Sequence, residues 1–156
     1  LAALEPGVLG QTGIESSAHI QSVSHSLNLK CIVVIDALAS RKLEILATTL
    51  QLSDTGIAPG SGVCNARSAI NQANTDVKVI SIGIPTVVDA YTLACDVCCM
   101  SDENNHISDD SEMRSFFVSP RDCDVVIEYA SKLIGYAINL AVHLEMKYED
   151  IPDLLT

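Results

Sequence analysis

The acids that could do chemistry in this chain are few and sit in recognisable places. Asp36 follows the apolar run Cys31-Ile32-Val33-Val34-Ile35. Burying it unpaired would cost several kcal/mol. The residues therefore put it at the end of a buried parallel strand, in a crevice, with a raised pKa suited to acid–base work. They equally allow an N-cap for a turn that follows. Asp54, Asp89 and Glu15 are the candidate supporting acids. Asp54 precedes Thr55-Gly56, a sequence for an Asx turn. Asp89 lies near an expected helix N-terminus, where the helix dipole favours a carboxylate. Glu15 stands three residues after Thr12, in the spacing of a capping box.

Other chemistries find little to stand on. Pro59-Gly60-Ser61-Gly62 is too short for a phosphate-binding loop and lacks its lysine. His19, His25, His106 and His143 read as ordinary polar or helical positions, and none gives Ser61 or a cysteine the local context of a nucleophilic triad. Cys95-Asp-Val-Cys98 has no second pair and no histidine at zinc-finger spacing. The six cysteines, Cys31, Cys64, Cys95, Cys98, Cys99 and Cys123, are expected to be buried, reduced thiols. No metal and no cofactor is expected.

With 156 residues the chain is expected to form one α/β domain spanning 1–156. A net charge of −11 argues against phosphate-backbone binding, so no nucleic-acid partner is expected. Asp102, Glu103, Asp109, Asp110 and Glu112 crowd into residues 101–115, which are expected to be a mobile acidic loop. No uninterrupted apolar run reaches the roughly 18 residues that a bilayer requires, so no membrane partner is expected. The start, Leu-Ala-Ala-Leu-Glu, has neither an initiator Met nor a basic signal region and reads as the inside of a longer chain.

The elements that must position these residues follow from periodicity. Ile20, Val23 and Leu27 predict an amphipathic helix over about 14–28. Cys31 to Ile35 is a β-branched run for a buried strand, and Ala37 to Ala47 suits a helical turn. Thr48 to Ser53 alternates, with Leu50 and Leu52 on one face and the other face exposed. Asp54 to Gly62 is a loop by composition. Val77 to Ile82 predicts a strand ended by Gly83, and Pro85 suits the first turn of a helix running to about 99. Ser119-Pro120-Arg121-Asp122 predicts an N-cap and first turn for a helix to about His143. The order gives a layered α/β fold with a mixed sheet of few strands.

Several blocks are familiar in collinear order. They are Pro6-Gly7-Val8-Leu9-Gly10-Gln11-Thr12-Gly13-Ile14-Glu15, Val34-Ile35-Asp36-Ala37-Leu38-Ala39-Ser40-Arg41, Leu52-Ser53-Asp54-Thr55-Gly56-Ile57 with Pro59-Gly60-Ser61-Gly62-Val63, and Ile82-Gly83-Ile84-Pro85-Thr86-Val87-Val88-Asp89-Ala90. Phe117-Val118-Ser119-Pro120 and the helix after it continue the match. Together they resemble the germination protease of endospore-forming bacteria. The departures are Ala58 where that family usually has His, Cys64 where it has Gly, Ala66 where it has a basic residue, and a shorter, more acidic segment at 101–115.

The resemblance implies an endopeptidase that degrades small acid-soluble spore proteins during germination, in the cytoplasm of the spore core. It implies a zymogen, a homotetramer, and a three-layer fold similar to the hydrogenase-maturation proteases, here without its N-terminal strand. It also implies an atypical mechanism with two aspartates. One carries over to Asp36; the other belongs to a Thr-Pro-Asp-Ala-Leu-Gly-Pro block upstream of these residues, so the second acid is expected from outside them. The partners implied are the spore proteins as substrate and either further copies or the upstream half of the same protease. Two alternatives stand beside this reading: a catalytically degenerate or fragmentary homologue serving as an assembly module in sporulating cells, and metal-assisted cleavage with Asp36 as a ligand.

Overall fold

The computed structural model describes residues 1–7, 9–63, 67–101 and 113–150. The chain divides into two compact units, residues 5–120 and a second made of residues 1–4 with 121–156. In the first unit, α1 (Leu9–Thr12) and α2 (Ser16–Ser26) lead into β1 (Cys31–Ser40). A 3-10 turn at Leu43–Ile45 and β2 (Gln51–Ser53) follow. After a 3-10 turn at Ser61–Val63 come α3 (Gln72–Thr75), β3 (Lys78–Asp89) and α4 (Ala90–Ser101). A 3-10 turn at Met113–Ser115 and β4 (Phe117–Val118) close the unit. The expected acidic loop lies, from 102 to 112, outside the described residues.

The sheet is mixed and has four strands. β3 is its centre, paired in parallel with β1 along one edge. Its other edge is shared by two antiparallel strands, β2 opposite Ser81–Gly83 and β4 opposite Val88–Asp89. Between them Pro85 and Thr86 offer their carbonyls to other donors: Ala47 N–H reaches Pro85 O at 2.7 Å and Ser119 Oγ reaches Thr86 O at 2.9 Å. A β-bulge falls where proline breaks the ladder, because the register with β1 shifts between Leu38, opposite Pro85, and Ala39, opposite Val87.

Three expectations change here. Pro85 does not begin a helix; it lies inside β3, which runs seven residues beyond Ile82 before α4 starts at Ala90. The β-branched Thr86-Val87-Val88 keeps the strand extended, and pairing with β1 on one side and β4 on the other outweighs the local helix-start signal. Ala37–Ser40 likewise continue β1 rather than turning. Ser119 is not a helix cap, since its hydroxyl is taken by Thr86. The second unit's helix, α5 (Cys123–Val142), has Asp122 at its N-cap position with no side-chain capping bond.

The two faces of the sheet are unequal. Val79 and Ser81 are buried on the face that also carries Ile32 and Val34, and α3 packs against β3. On the opposite face Val33, Ile35 and Leu52 are 45%, 51% and 70% exposed. β1 is therefore covered on one face only, and β2 turns its leucine outward rather than inward. The inward position belongs to Ser53, whose carbonyl, with that of Gly56, is within reach of the buried Ser81 hydroxyl at 3.3 and 3.2 Å.

α5 has a mean hydropathy of 1.4 over an 18-residue window and is long and apolar enough to cross a membrane by length and composition. Its apolar run is not uninterrupted, because Glu128 and Lys132 form an exposed ion pair at 2.7 Å one turn apart. Outside the helix core, Cys31 is exposed and Cys95, Cys98 and Cys123 are half-buried; all four are free thiols, so burial does not describe this set.

The loop after β2 is held by reciprocal backbone bonds between Ile57 and Ile70, at 3.0 and 2.8 Å. Gly56 makes this possible: its φ is +86°, and a Cβ there would stand 2.2 Å from Ile70 O. Gly56→Ala is expected to destabilise the protein by about 2–4 kcal/mol, combining backbone strain with overpacking. Gly135→Ala, in open space on α5, is expected to gain about 0.5–1 kcal/mol from helix propensity. Urea-unfolding midpoints at unchanged slope read both values.

Candidate active site

Asp36 sits six residues into β1 and four before its end, opposite Gly83 of β3. Alternation puts its side chain on the covered face, with Ile32 and Val34. It is half-buried, and among the described residues its one hydrogen bond comes from the Ala37 N–H to Oδ1 at 2.9 Å. Burial raises its pKa above the ordinary 3.8, and the Ala37 bond only partly opposes that rise. Gly83 matters to this environment. A Cβ on it would lie 2.2 Å from Leu38 Cδ1, so only a glycine lets Leu38 fold across β3 beside the acid. The strand-end position is thus corrected to mid-strand, and Asp36 caps no helix.

The other acids are not gathered around it. Asp54 is exposed and makes no Asx turn, because Ser53 does that work: its Oγ accepts the Thr55 N–H at 3.1 Å. Asp54 instead lines a shallow cavity of about 340 Å³ with Lys78 and Ile80, on the sheet face opposite Asp36. Glu15 occupies the N-cap position of α2 without a capping bond, and Thr12 turns back on Ile14. The Glu15 carboxylate accepts the Ser68 N–H at 2.8 Å and so ties a distant loop to the start of the helix.

Asp89 has a defined job. Both of its oxygens cap α4, Oδ1 accepting the Thr92 N–H at 2.8 Å and Oδ2 the Thr92 hydroxyl at 2.7 Å. Burial pushes its pKa up, but the Thr92 bonds and the nearby Arg114 charge outweigh that and hold it below the ordinary 3.8.

Asp89 also lines a second cavity, of about 400 Å³, at the C-terminal ends of β1 and β3. Open α/β sheets place their ligands at such strand ends. Its walls include Ser40, Arg41, Ser61, Thr92 and Arg114. The guanidinium of Arg114 lies 4.3 Å from the centre of the Tyr91 ring. The glycine loop forms one side, pressed so closely on β1 that a Cβ on Gly62 would lie 2.5 Å from Ala39 Cβ. Arg41, Thr92 and Arg114 were not legible as site residues from composition. The usable signal was that Arg41 directly follows the small-residue end of a strand. Among the described residues, no three His, Cys, Asp or Glu side chains are grouped to hold a metal ion.

A family model described as germination protease matches residues 1–101, about two thirds of the chain. The chain belongs to the germination protease family. A germination protease of Clostridium perfringens is 39% identical over 181 aligned positions, covering 99% of this chain and 56% of that protein. One from Clostridium tetani is 38% identical over the same extent, and one from Bacillus velezensis is 45% identical over 117 positions, 74% of this chain. The chain spans about half the length of the clostridial relatives it matches. Asp36, Asp54, Asp89 and Glu15 all fall within the residues that the family model matches.

The two perturbed acids should respond to pH with opposite sign. Asp89 binds its proton less tightly in the folded state, so its contribution is present above 3.8 and lost as pH falls through its lowered value. Asp36 holds its proton more tightly when folded, so it costs stability at neutral pH, and that cost vanishes as pH falls through its raised value. Asp89→Ala is expected to lose about 1–2 kcal/mol at pH 7, the usual size of a lost cap. Asp36→Asn is expected to raise the melting temperature at pH 7 and lose that advantage in acid. Thermal melts of both variants across pH 3–7 (an experimental range of about four units) check the signs.

Proposed function

We propose that this chain carries one half of the catalytic acid pair of an endopeptidase that degrades small acid-soluble spore proteins at germination. The observation that carries the reading is Asp36: a half-buried carboxyl with raised proton affinity, inside the stretch matched to the germination protease family. In a two-aspartate mechanism one carboxyl is protonated, the other ionised, and the pair activates a water against the scissile carbonyl. The raised pKa suits Asp36 to the protonated role, from which it donates to the carbonyl oxygen as charge develops there. The ionised partner comes from outside these residues, since neither Asp54 nor Asp89 is arranged to serve: one lies on the opposite face and the other is committed to its helix.

The same reading includes a fold of the hydrogenase-maturation protease kind, processing from a zymogen, assembly as a homotetramer and work in the spore core. The rival reading, an assembly module without activity, is favoured by one fact: Asp36 has no carboxylate hydrogen-bonded to it among the described residues.

In the complete protease, Asp36→Asn is expected to lower cleavage of a small acid-soluble spore protein by about 10²–10⁴-fold, the range of general acid–base catalysis. Secondary structure should be retained, and the melting temperature at pH 7 should not fall below that of the wild type. Undiminished cleavage by a folded Asn variant would make Asp36 structural.

A further inference from the structure

Leu38 stands opposite Pro85 in the ladder between β1 and β3, yet its side chain lies over Gly83, two residues back along β3. A Cβ on Gly83 would be 2.2, 2.5 and 3.0 Å from Leu38 Cδ1, Cγ and Cδ2, so the isobutyl group takes the whole place of a side chain there. The cause lies in β3. Pro85 is fully buried and fills the position opposite Leu38, whereas Gly83 leaves its own position empty. The register also shifts between Leu38 and Ala39, and a bulge re-aims the side chains beside it.

Gly83 is the ladder partner of Asp36. Leu38 therefore flanks the acid twice: along β1, as the next residue on the same face, and across the ladder, where β3 has no side chain of its own. On its other side β1 borders no further strand among those described. The carboxyl is shielded toward β3 and open toward the edge of the sheet. Charge plays no part in this. On this face β1 presents Ile32 and Val34, β3 presents Val79 and Ser81, and α3, packed on β3, carries no ionisable side chain. Farther out, α2 brings His19 and His25, α4 brings Asp96, and the turn before β4 brings Arg114. None of these four acts on the Asp36 proton, which answers to burial and to the Ala37 N–H.

We propose that Leu38 is a positioning residue for the candidate catalytic acid: seated over Gly83, its isobutyl group keeps water from the β3 side of the Asp36 carboxyl and leaves the β1 edge as the side from which a reacting group arrives. Its bearing on catalysis rests on the protease reading of Asp36. A carboxyl shielded on one side holds its proton at a pH where an exposed one has lost it, and a group that must donate a proton needs to hold it first. A Leu38 that served packing alone would leave the Asp36 proton unaffected.

The test follows the Asp36 carboxyl by carbon-13 NMR through pH titrations of the 156-residue chain and of three variants, each shown to be folded by its amide spectrum. Leu38→Met keeps an apolar chain long enough to reach Gly83 and should keep the wild-type midpoint. Leu38→Val suits a strand but is too short to cover Gly83, and should lower the midpoint. Leu38→Asn keeps the branched shape, puts a polar head beside the carboxyl and should lower it furthest. A Leu38→Val chain titrating at the wild-type midpoint would overturn the proposal, as would a folded Leu38→Asn chain that did so. In the complete protease the same variants should move the alkaline limb of the kcat profile to lower pH, with KM held within about two-fold. An alkaline limb that stays in place while the midpoint falls would leave the role of Leu38 standing and remove Asp36 from the proton-donating role, which tells the two failures apart.

Discussion

The parallel ladder between β1 and β3 pairs Asp36 with Gly83, and this pairing sets the space and solvent the acid receives. Gly83 carries no side chain, so Leu38 lies across β3 where a Cβ would otherwise stand. Asp36 is thereby held beside an isobutyl group and below a strand, with one backbone N–H for compensation. Partial desolvation with so little hydrogen bonding raises a carboxyl's proton affinity. Had the same acid stood at the strand's end, solvent and free N–H groups would have returned it toward its ordinary value. The mid-strand position is the source of its distinction.

The same ladder positions everything else that the site uses. Beyond the bulge opposite Pro85, β1 and β3 end side by side, and two kinds of chemistry meet there. From β3 comes Asp89, whose carboxylate closes the first turn of α4 through Thr92. From β1 comes Ser40, whose buried hydroxyl folds the next residues into the turn that carries Arg41. Gly62 brings the loop down onto Ala39 to complete the wall. A proline in a central strand would ordinarily break the sheet. Here its carbonyl is served by Ala47, a residue at φ +57°, so an unfavourable backbone conformation accompanies an otherwise missing ladder bond.

The apolar run before Asp36 was readable because β-branched residues in sequence have few other uses. The glycine loop after Asp54 was readable because its composition admits no regular element. Ala37-Leu38-Ala39-Ser40 was not, since alanine-rich segments favour helix by propensity and only pairing with Ile84–Val88 makes this one extended. Pro85 misled for the same reason: its local preference for a first helical turn is real, but the sheet on both sides prevails. Leu52 misled in another way, because alternation shows which residues share a face and not which face is covered. Arg41, Thr92 and Arg114 meet only through the ends of two strands far apart in sequence. The acids' family was legible; their grouping was not.

Asp36 is set apart by one physical property: its surroundings favour the protonated form of its carboxyl. Carbon-13 NMR of the side-chain carboxyl, followed through a pH titration of the folded chain and assigned by the Asp36→Asn variant, measures this directly. The expected midpoint lies above the ordinary 3.8. A midpoint at or below that value would contradict it, and would leave Asp36 an ordinary acid on a strand.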